Sequence, residues 1–319
     1  MNSKVDQIFL APMEGVIDGT VRTLLTQIND FDLCITEFVR VVDKRLPKHL
    51  FYKVSPELRQ NSCTDNGTPV RVQLLGQHPQ WMAENAHLAC SLGSNGIDLN
   101  FGCPAPTVNK SKGGAVLLNS PETINQIIVA VKEAVQEFNQ EVSVKIRLGF
   151  DEANLFNEII DAINQANPDT LTVHARTKRH GYKPPAYWRT IGDVKNRNNI
   201  KTLANGEIWS KQDAQQCMLD AKTEHLMLGR GVLALPNLAN VIRFNQQPMT
   251  WTQVCELLLQ YAQIIPENQH QFYFPSRIKQ WLKYLKIQYQ EAHIFFDEIK
   301  RISEQQLIIK SIQQQLAPC

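Results

Sequence analysis

Between Ile8 and about residue 245 the chain alternates eight short apolar runs with longer amphipathic stretches, and this alternation restricts the fold more than any other feature. The runs, read as strands, cover 8–11, 33–38, 70–75, 96–100, 142–148, 170–174, 201–205 and 224–229. Helical spacing fills most of the intervals, at 19–28, 81–91, 122–138, 154–166 and 212–219. Two starts carry their own signals: Asp18 as a capping side chain, and Ser120-Pro121 with proline at the first helical position. Eight strands alternating with helices over about 240 residues is the arithmetic of a closed (β/α)8 TIM barrel. A doubly wound open sheet alternates in the same way and competes with it.

The placement of unusual residues favours the barrel. Polar and glycine residues gather at or just after the strand ends: Pro12-Met13-Glu14-Gly15, Asn100 to Pro104, Lys145 to Gly149, His174 to Thr177, Asn205-Gly206-Glu207 and Gly229-Arg230-Gly231. A closed barrel brings all of these ends to one rim, whereas an open sheet collects fewer of them near its switch point.

The remainder, 246–319, contains no glycine and no strand alternation, and helical spacing recurs at 254–264, 278–287, 292–299 and 304–312. The expected organisation is therefore an α/β barrel over 1–245 followed by a small all-α C-terminal domain over 246–319. A hydrophobic share of 43% and a charged share of 20% fit a globular chain and exclude intrinsic disorder. The longest apolar runs are only a few residues, too short to span a membrane, and the first residues lack a secretion signal. Seven cysteines without a C-x-x-C pair provide neither a metal cage nor a disulfide framework, so reduced thiols, no metal and a cytoplasmic setting are expected. A net charge of +2 gives no global signal for a polyanion, so any such signal must be local.

Four places carry chemistry. Cys103 follows the fourth strand in Asp98-Leu-Asn-Phe-Gly-Cys103-Pro-Ala-Pro106, where glycine and prolines fix a tight loop; a buried structural thiol is the plain alternative. Lys145 stands between Val144 and Ile146, where burial without an anionic partner is costly. It either points into the central site or snorkels to solvent at the strand end. His174 and Arg176 add potential donors at the sixth strand, or are ordinary rim residues in water. Together these groups describe a pocket able to stabilise negative charge on a flat ring. The glycine loops at Asn205-Gly206-Glu207 and Gly229-Arg230-Gly231 lie where such barrels commonly bind phosphate. The G-x-G-x-x-A pattern from Gly229 to Ala234 lacks the βαβ context of a dinucleotide site and is set aside.

Taken in order, these motifs resemble the tRNA-dihydrouridine synthases over nearly the whole chain. The resemblance is carried by Ala11-Pro-Met-Glu-Gly15, Val70-Arg-Val-Gln-Leu-Leu-Gly76, Asp98-Leu-Asn-Phe-Gly-Cys-Pro104 and Lys112-Gly113-Gly114-Ala115. It continues through Val144-Lys-Ile-Arg-Leu-Gly149, Val173-His-Ala-Arg-Thr177, Asn205-Gly-Glu207 and Gly229-Arg-Gly231. Cys34-Ile-Thr-Glu-Phe-Val-Arg40 and Arg277-Ile-Lys-Gln-Trp-Leu282 look most like the bacterial C subgroup, whose target is the D-loop uridine at position 16. Phe101 departs from the pattern, a smaller residue being common there.

The resemblance implies FMN across the rim and NADPH as reductant. Pro12, Met13 and Gln73 would meet the ring system, Lys145 and His174 its pyrimidine end, and Asn205, Gly206, Glu207, Gly229 and Arg230 the ribityl and phosphate. It implies that hydride reaches C6 of uracil while Cys103, as general acid, protonates C5, with Asn100 hydrogen-bonded to the base. A dihydroorotate dehydrogenase-like barrel reducing a small pyrimidine is the alternative, and the basic helical tail argues against it.

No acidic residue occurs between Glu267 and Glu291, a stretch holding Arg277, Lys279, Lys283 and Lys286 and six aromatics, Phe272, Tyr273, Phe274, Trp281, Tyr284 and Tyr289. Such a stretch is either an amphipathic helix with a solvated basic face or a surface that neutralises phosphates and stacks bases. The resemblance favours RNA, with Arg277, Lys279 and Tyr284, and Arg40 and Tyr182 on rim loops, as candidate tRNA contacts around the D-loop; a monomer is expected.

Overall fold

The computed structural model describes residues 4–197, 199–265 and 273–316. Glu267, Phe272 and Cys319, which entered the sequence reading, lie outside the described residues. Eight parallel strands close on themselves in sequence order: β1 (Gln7–Leu10), β2 (Leu33–Arg40), β3 (Val70–Leu75), β4 (Ile97–Asn100), β5 (Val142–Arg147), β6 (Thr170–His174), β7 (Lys201–Asn205) and β8 (His225–Leu228). Closure is made by β1 against β8, with Leu10 opposite Leu228. The open-sheet alternative is thereby removed.

Strand periodicity explains the site. In β5, Val142, Val144 and Ile146 belong to the apolar layer shared with the surrounding helices, while Ser143, Lys145 and Arg147 alternate with them. Inside the barrel a separate apolar cluster of Phe9, Ala11, Leu33, Ile35, Leu203 and Met227 fills the side contributed by β1, β2, β7 and β8. The side contributed by β3 to β6 holds buried polar groups instead: Gln73, Asp98, Ser143, Thr172 and His174. A barrel interior half filled with polar side chains is a site in the making, because buried polar groups are stable only when bonded.

The helices are α1 (Gly19–Gln27), α2 (Lys48–Val54), α3 (Pro79–Ser91), α4 (Pro106–Lys110), α5 (Pro121–Val135), α6 (Phe156–Ala166), α7 (Trp188–Asp193), α8 (Lys211–Ala221), α9 (Arg230–Ala234) and α10 (Leu238–Phe244). Asp18 caps α1 as expected, its carboxylate accepting from the Val21 N–H at 2.9 Å. The helix expected at 122–138 ends at Val135 and finishes as a 3-10 turn, Gln136–Phe138, before Asn139 at φ 51°. Helices α2, α4, α7, α9 and α10 have no counterpart in the sequence reading; at seven residues or fewer they are too short for a periodic signal.

Four helices follow the barrel: α11 (Trp251–Ile264), α12 (Tyr273–Leu285), α13 (Glu291–Ile299) and α14 (Gln305–Gln314). The first begins three residues before the expected start because Thr250 and Gln253 form a capping box. Trp281 anchors α12 to the barrel, its indole N–H donating to Leu233 O at 3.0 Å from a nearly buried ring. Truncating an indole so placed costs about 3 kcal/mol.

Candidate active site

A cavity of about 710 Å³ opens at the C-terminal ends of the strands, within the size range of cofactor sites. Every residue given a catalytic, cofactor or tRNA role from the sequence lines it except Arg40, Arg277 and Lys279.

The thiol is fixed through backbone. After β4, Asn100 Oδ1 accepts from the N–H groups of Gly102 at 3.0 Å and Cys103 at 2.8 Å. The Cys103 carbonyl accepts from Asn109 Nδ2 at 3.0 Å and from the Ala115 N–H at 3.1 Å. Asn100 is itself held: its Nδ2 donates to Gln73 Oε1 at 2.8 Å, and Gln73 Nε2 donates to Asp98 Oδ2 at 2.6 Å. Ser143 Oγ donates to the other Asp98 oxygen at 2.6 Å. Burial pushes the Asp98 carboxyl up, against the pull of the Ser143 and Gln73 bonds. The glycine pair has a steric reason too: Gly114 has φ 67°, and a Cβ there would sit 2.9 Å from Cys103 O and 3.2 Å from Cys103 Cβ. Burial also pushes the Cys103 thiol above its ordinary value, so it is protonated at neutral pH.

The same cavity is lined by cationic side chains. Lys145 points inward, not along the strand to solvent, and its Nζ donates to Asn205 Oδ1 at 3.2 Å. Burial, reinforced by the Arg147 charge, lowers it to about 8. His174 is held well below its usual value by burial and by Arg147, Lys145, Arg176 and Arg230, so its ring is neutral at pH 7. A guanidinium only donates, so the His174 Nε2 that faces Arg176 Nη1 at 3.4 Å is the acceptor nitrogen. Gly206, at φ 109°, lets the loop after β7 approach this ring; a Cβ there would lie 2.7 Å from His174 Cδ2.

Glu207 and Arg230 are bonded to each other. Glu207 Oε1 accepts from Arg230 Nη2 at 2.6 Å and forms an ion pair with Arg176 at 2.8 Å, while Oε2 accepts from the Trp209 indole at 3.2 Å. Burial alone would raise this carboxylate, but the Arg176 and Trp209 bonds and the two positive charges bring it below its ordinary value. Tyr182 lies 4.9 Å from the Arg230 guanidinium, ring centroid to carbon, and Tyr284 reaches the cavity from α12.

The three outlying residues have partners elsewhere. Arg40 is the last residue of β2, not part of a rim loop, and its Nη2 donates to Thr107 O at 3.2 Å and to Ser111 Oγ. Arg277 Nη2 donates to Asp18 Oδ2 at 2.9 Å and Val16 O at 3.0 Å, its Nη1 reaches Gly15 O, and Tyr273 donates its hydroxyl to the same Asp18 oxygen. Lys279 Nζ donates to Ile302 O. Sequence reasoning gave no role to Arg147, Glu14, Glu37 or Trp209, all of which line the cavity. Glu37 Oε1 accepts from the Gly15 N–H at 2.5 Å, and burial with the charge of Glu37 raises Glu14. The alternation within β5 carried a signal for Arg147, two residues beyond Lys145 and on the same face.

A planar group carrying a phosphate fits these residues. Lys145, Arg147 and Arg230, with Arg176 buried behind them, outnumber the one carboxylate bonded to this cationic group, Glu207. An apolar floor of Ala11, Met13 and Met227 lies beside them. The fold and site thus define a (β/α)8-barrel protein with an anion-accepting rim cavity and a protonated thiol facing it. More particularly, a family model described as dihydrouridine synthase matches residues 9–316, and the chain belongs to that family. It is similar to the tRNA-dihydrouridine(16) synthase of Escherichia coli K12, 50% identical over 308 residues that cover 96% of this chain and 98% of the relative. It is 52% identical over 301 residues to the protein of that name from Haemophilus ducreyi, covering 94% of this chain and 92% of the other. Among solved structures, histamine dehydrogenase from Rhizobium sp. 4-9 shares the fold, with a TM-score of 0.58 at 13% identity over 75% of this chain and 46% of that one.

Proposed function

We propose that the chain is an FMN-dependent tRNA-dihydrouridine synthase that reduces the uridine at position 16 of the tRNA D-loop. Family membership and relatives of that name at about half identity support the reading. The observation that carries it is the thiol of Cys103, fixed by Asn100 in the same cavity as Lys145 and His174.

In this reading FMN, reduced by NADPH, supplies the hydride equivalent that the uracil C6 accepts. Pro12, Met13 and Gln73 would border its ring, and Lys145 and neutral His174 would meet the pyrimidine end, where the lysine would stabilise negative charge. Asn205, Gly206, Gly229 and Arg230 would hold ribityl and phosphate, with Glu207 keeping Arg230 in place. Cys103 Sγ–H gives its proton to C5 and is reprotonated by water, so that one hydride and one proton saturate the C5–C6 bond. Residues 1–245 form the catalytic barrel and 246–319 a tRNA-binding domain, in which Tyr284 and the basic residues of α12 meet the RNA together with Tyr182. The target uridine leaves its stack to enter the cavity. The enzyme works as a monomer in the cytoplasm.

The direct test maps dihydrouridine in tRNA from cells lacking the gene. Loss confined to position 16, restored by the cloned gene, is the expected result. An unchanged modification pattern, or a purified protein that binds no FMN, would sink the reading.

A further inference from the structure

We infer that Arg147 is a positioning residue for Cys103: its guanidinium ties the loop carrying the thiol to the loop carrying Tyr182, and it brings an unneutralised positive charge to the thiol's cavity. The inference rests on the proposed proton donation by Cys103.

Arg147 ends β5 and is 2% exposed. Its Nε donates to Gly102 O at 2.8 Å, immediately before Cys103, and its Nη1 donates to Thr177 O at 3.1 Å and Gly181 O at 3.0 Å. The guanidinium carbon lies 5.3 Å from the centroid of the Tyr182 ring. Asn100 therefore holds the Cys103 turn by its N–H groups and Arg147 holds it by the Gly102 carbonyl. A planar fork with donors in fixed directions serves these carbonyls at once, which a lysine ammonium cannot do.

The charge acts alongside the clamp. Other buried arginines here are neutralised, Arg22 by Glu57 at 2.8 Å and Arg176 by Glu207 at 2.8 Å. Among the described residues no carboxylate pairs with Arg147; its acceptors are backbone carbonyls and the Tyr182 side chain. A buried cation without a counter-ion is costly, and such an arrangement fits a place where negative charge develops during the reaction. Proton donation turns Cys103 into a thiolate in this cavity, and of the charges that favour that form Arg147 is the foremost, against the effect of burial.

The test uses the FMN-loaded full-length protein and follows alkylation of Cys103 by iodoacetamide against pH, read on its own peptide by mass spectrometry. In Arg147→Gln the midpoint of that profile rises by about one pH unit. Its kcat for tRNA reduction, measured at saturating FMN, falls about a hundredfold while KM for tRNA stays near wild type. Arg147→Lys keeps the charge, so its alkylation profile stays at wild type while kcat still falls because the fork is gone. If Arg147→Gln does not load FMN, alkylation is compared on the flavin-free forms of wild type, Arg147→Gln and Arg147→Met, and the lysine variant carries the test of the clamp. A wild-type alkylation profile in the neutral variants overturns the electrostatic role, and full kcat in Arg147→Lys overturns the clamp. Alkylation needs no tRNA, so these outcomes are read whether or not the protein proves to reduce uridine.

Discussion

Asn100 Oδ1 accepts from the N–H of Cys103 at 2.8 Å, so the turn that carries this thiol is held by a side chain three residues upstream on the same strand end. The asparagine is not free to turn, because its Nδ2 is bound to Gln73 and that residue to buried Asp98. Removing the carboxamide leaves two loop N–H groups without an acceptor and lets the turn drift. Displacement of a reacting group by about 1 Å costs on the order of a hundredfold in rate. Asn100→Ala is therefore expected to lower kcat for tRNA reduction by about that factor while NADPH still reduces the bound flavin. Single-turnover kinetics of the two half-reactions check it; a variant slow in both would show that Asn100 serves the flavin and not the thiol.

Cys103 itself separates the two half-reactions most cleanly. Burial keeps it protonated, as a proton donor to C5 requires. Cys103→Ala should bind FMN and oxidise NADPH at the wild-type rate, yet form no dihydrouridine. Dihydrouridine formation at the normal rate, measured on unmodified transcript, would refute the acid assignment.

Lys145 sets a pH dependence. The group titrates at about 8 in the folded protein against an ordinary 10.5, so between those values the unfolded chain binds more protons. Stability of the flavin-free protein should then rise with pH across that window, and Lys145→Met should abolish the rise. The anionic ring of reduced flavin favours the ammonium, so affinity for reduced FMN should fall as pH passes 8, by up to about tenfold at pH 9. Anaerobic titration with reduced FMN at pH 7 and pH 9 measures this; equal affinities would place the anionic ring away from Lys145.

The barrel was legible because strand and helix periods alternate over a long chain. The β5 pattern allowed Lys145 an inward position without deciding it against solvent, since either end of a long side chain's reach satisfies the same alternation. The motif around Cys103 was legible as a fixed turn, but not the means of fixing it. Asp98 lies two residues before Asn100 on β4, but Gln73 comes from the neighbouring strand, opposite Asp98, and no local pattern announces such a register. The ion triad at Glu207 was hidden for the same reason, since Arg176, Glu207 and Arg230 come from three strand ends. Phe101, the departure from the family pattern, is fully buried among the apolar residues of the main core. Charge patterning read the basic stretch of α12 as a phosphate-facing surface, and no local pattern shows that its arginine, Arg277, also binds an aspartate 259 residues away.

That arginine, Arg277, binds Asp18, Gly15 and Val16, so α12 is fastened to the very loop that presents Met13 and Glu14 to the cavity. Its side chain is only 11% exposed and the Asp18 carboxylate only 20%, so the pair is worth more than a surface ion pair. Arg277→Ala should lower unfolding free energy by about 2 kcal/mol, since a charged hydrogen bond is removed and Asp18 keeps only Tyr273 and its cap. Lys283→Ala, which removes a charge from the same helix, should leave stability within about 0.5 kcal/mol. Charge reversal at Arg277 and Lys279 should weaken tRNA binding, and each phosphate that is no longer neutralised should reduce the salt slope by about one. Chemical denaturation and salt-dependent tRNA binding, run on the same variants, separate the roles. If Arg277→Ala unfolds like wild type and loses a full step of salt slope, the arginine neutralises a phosphate and the latch to Asp18 carries no weight in solution.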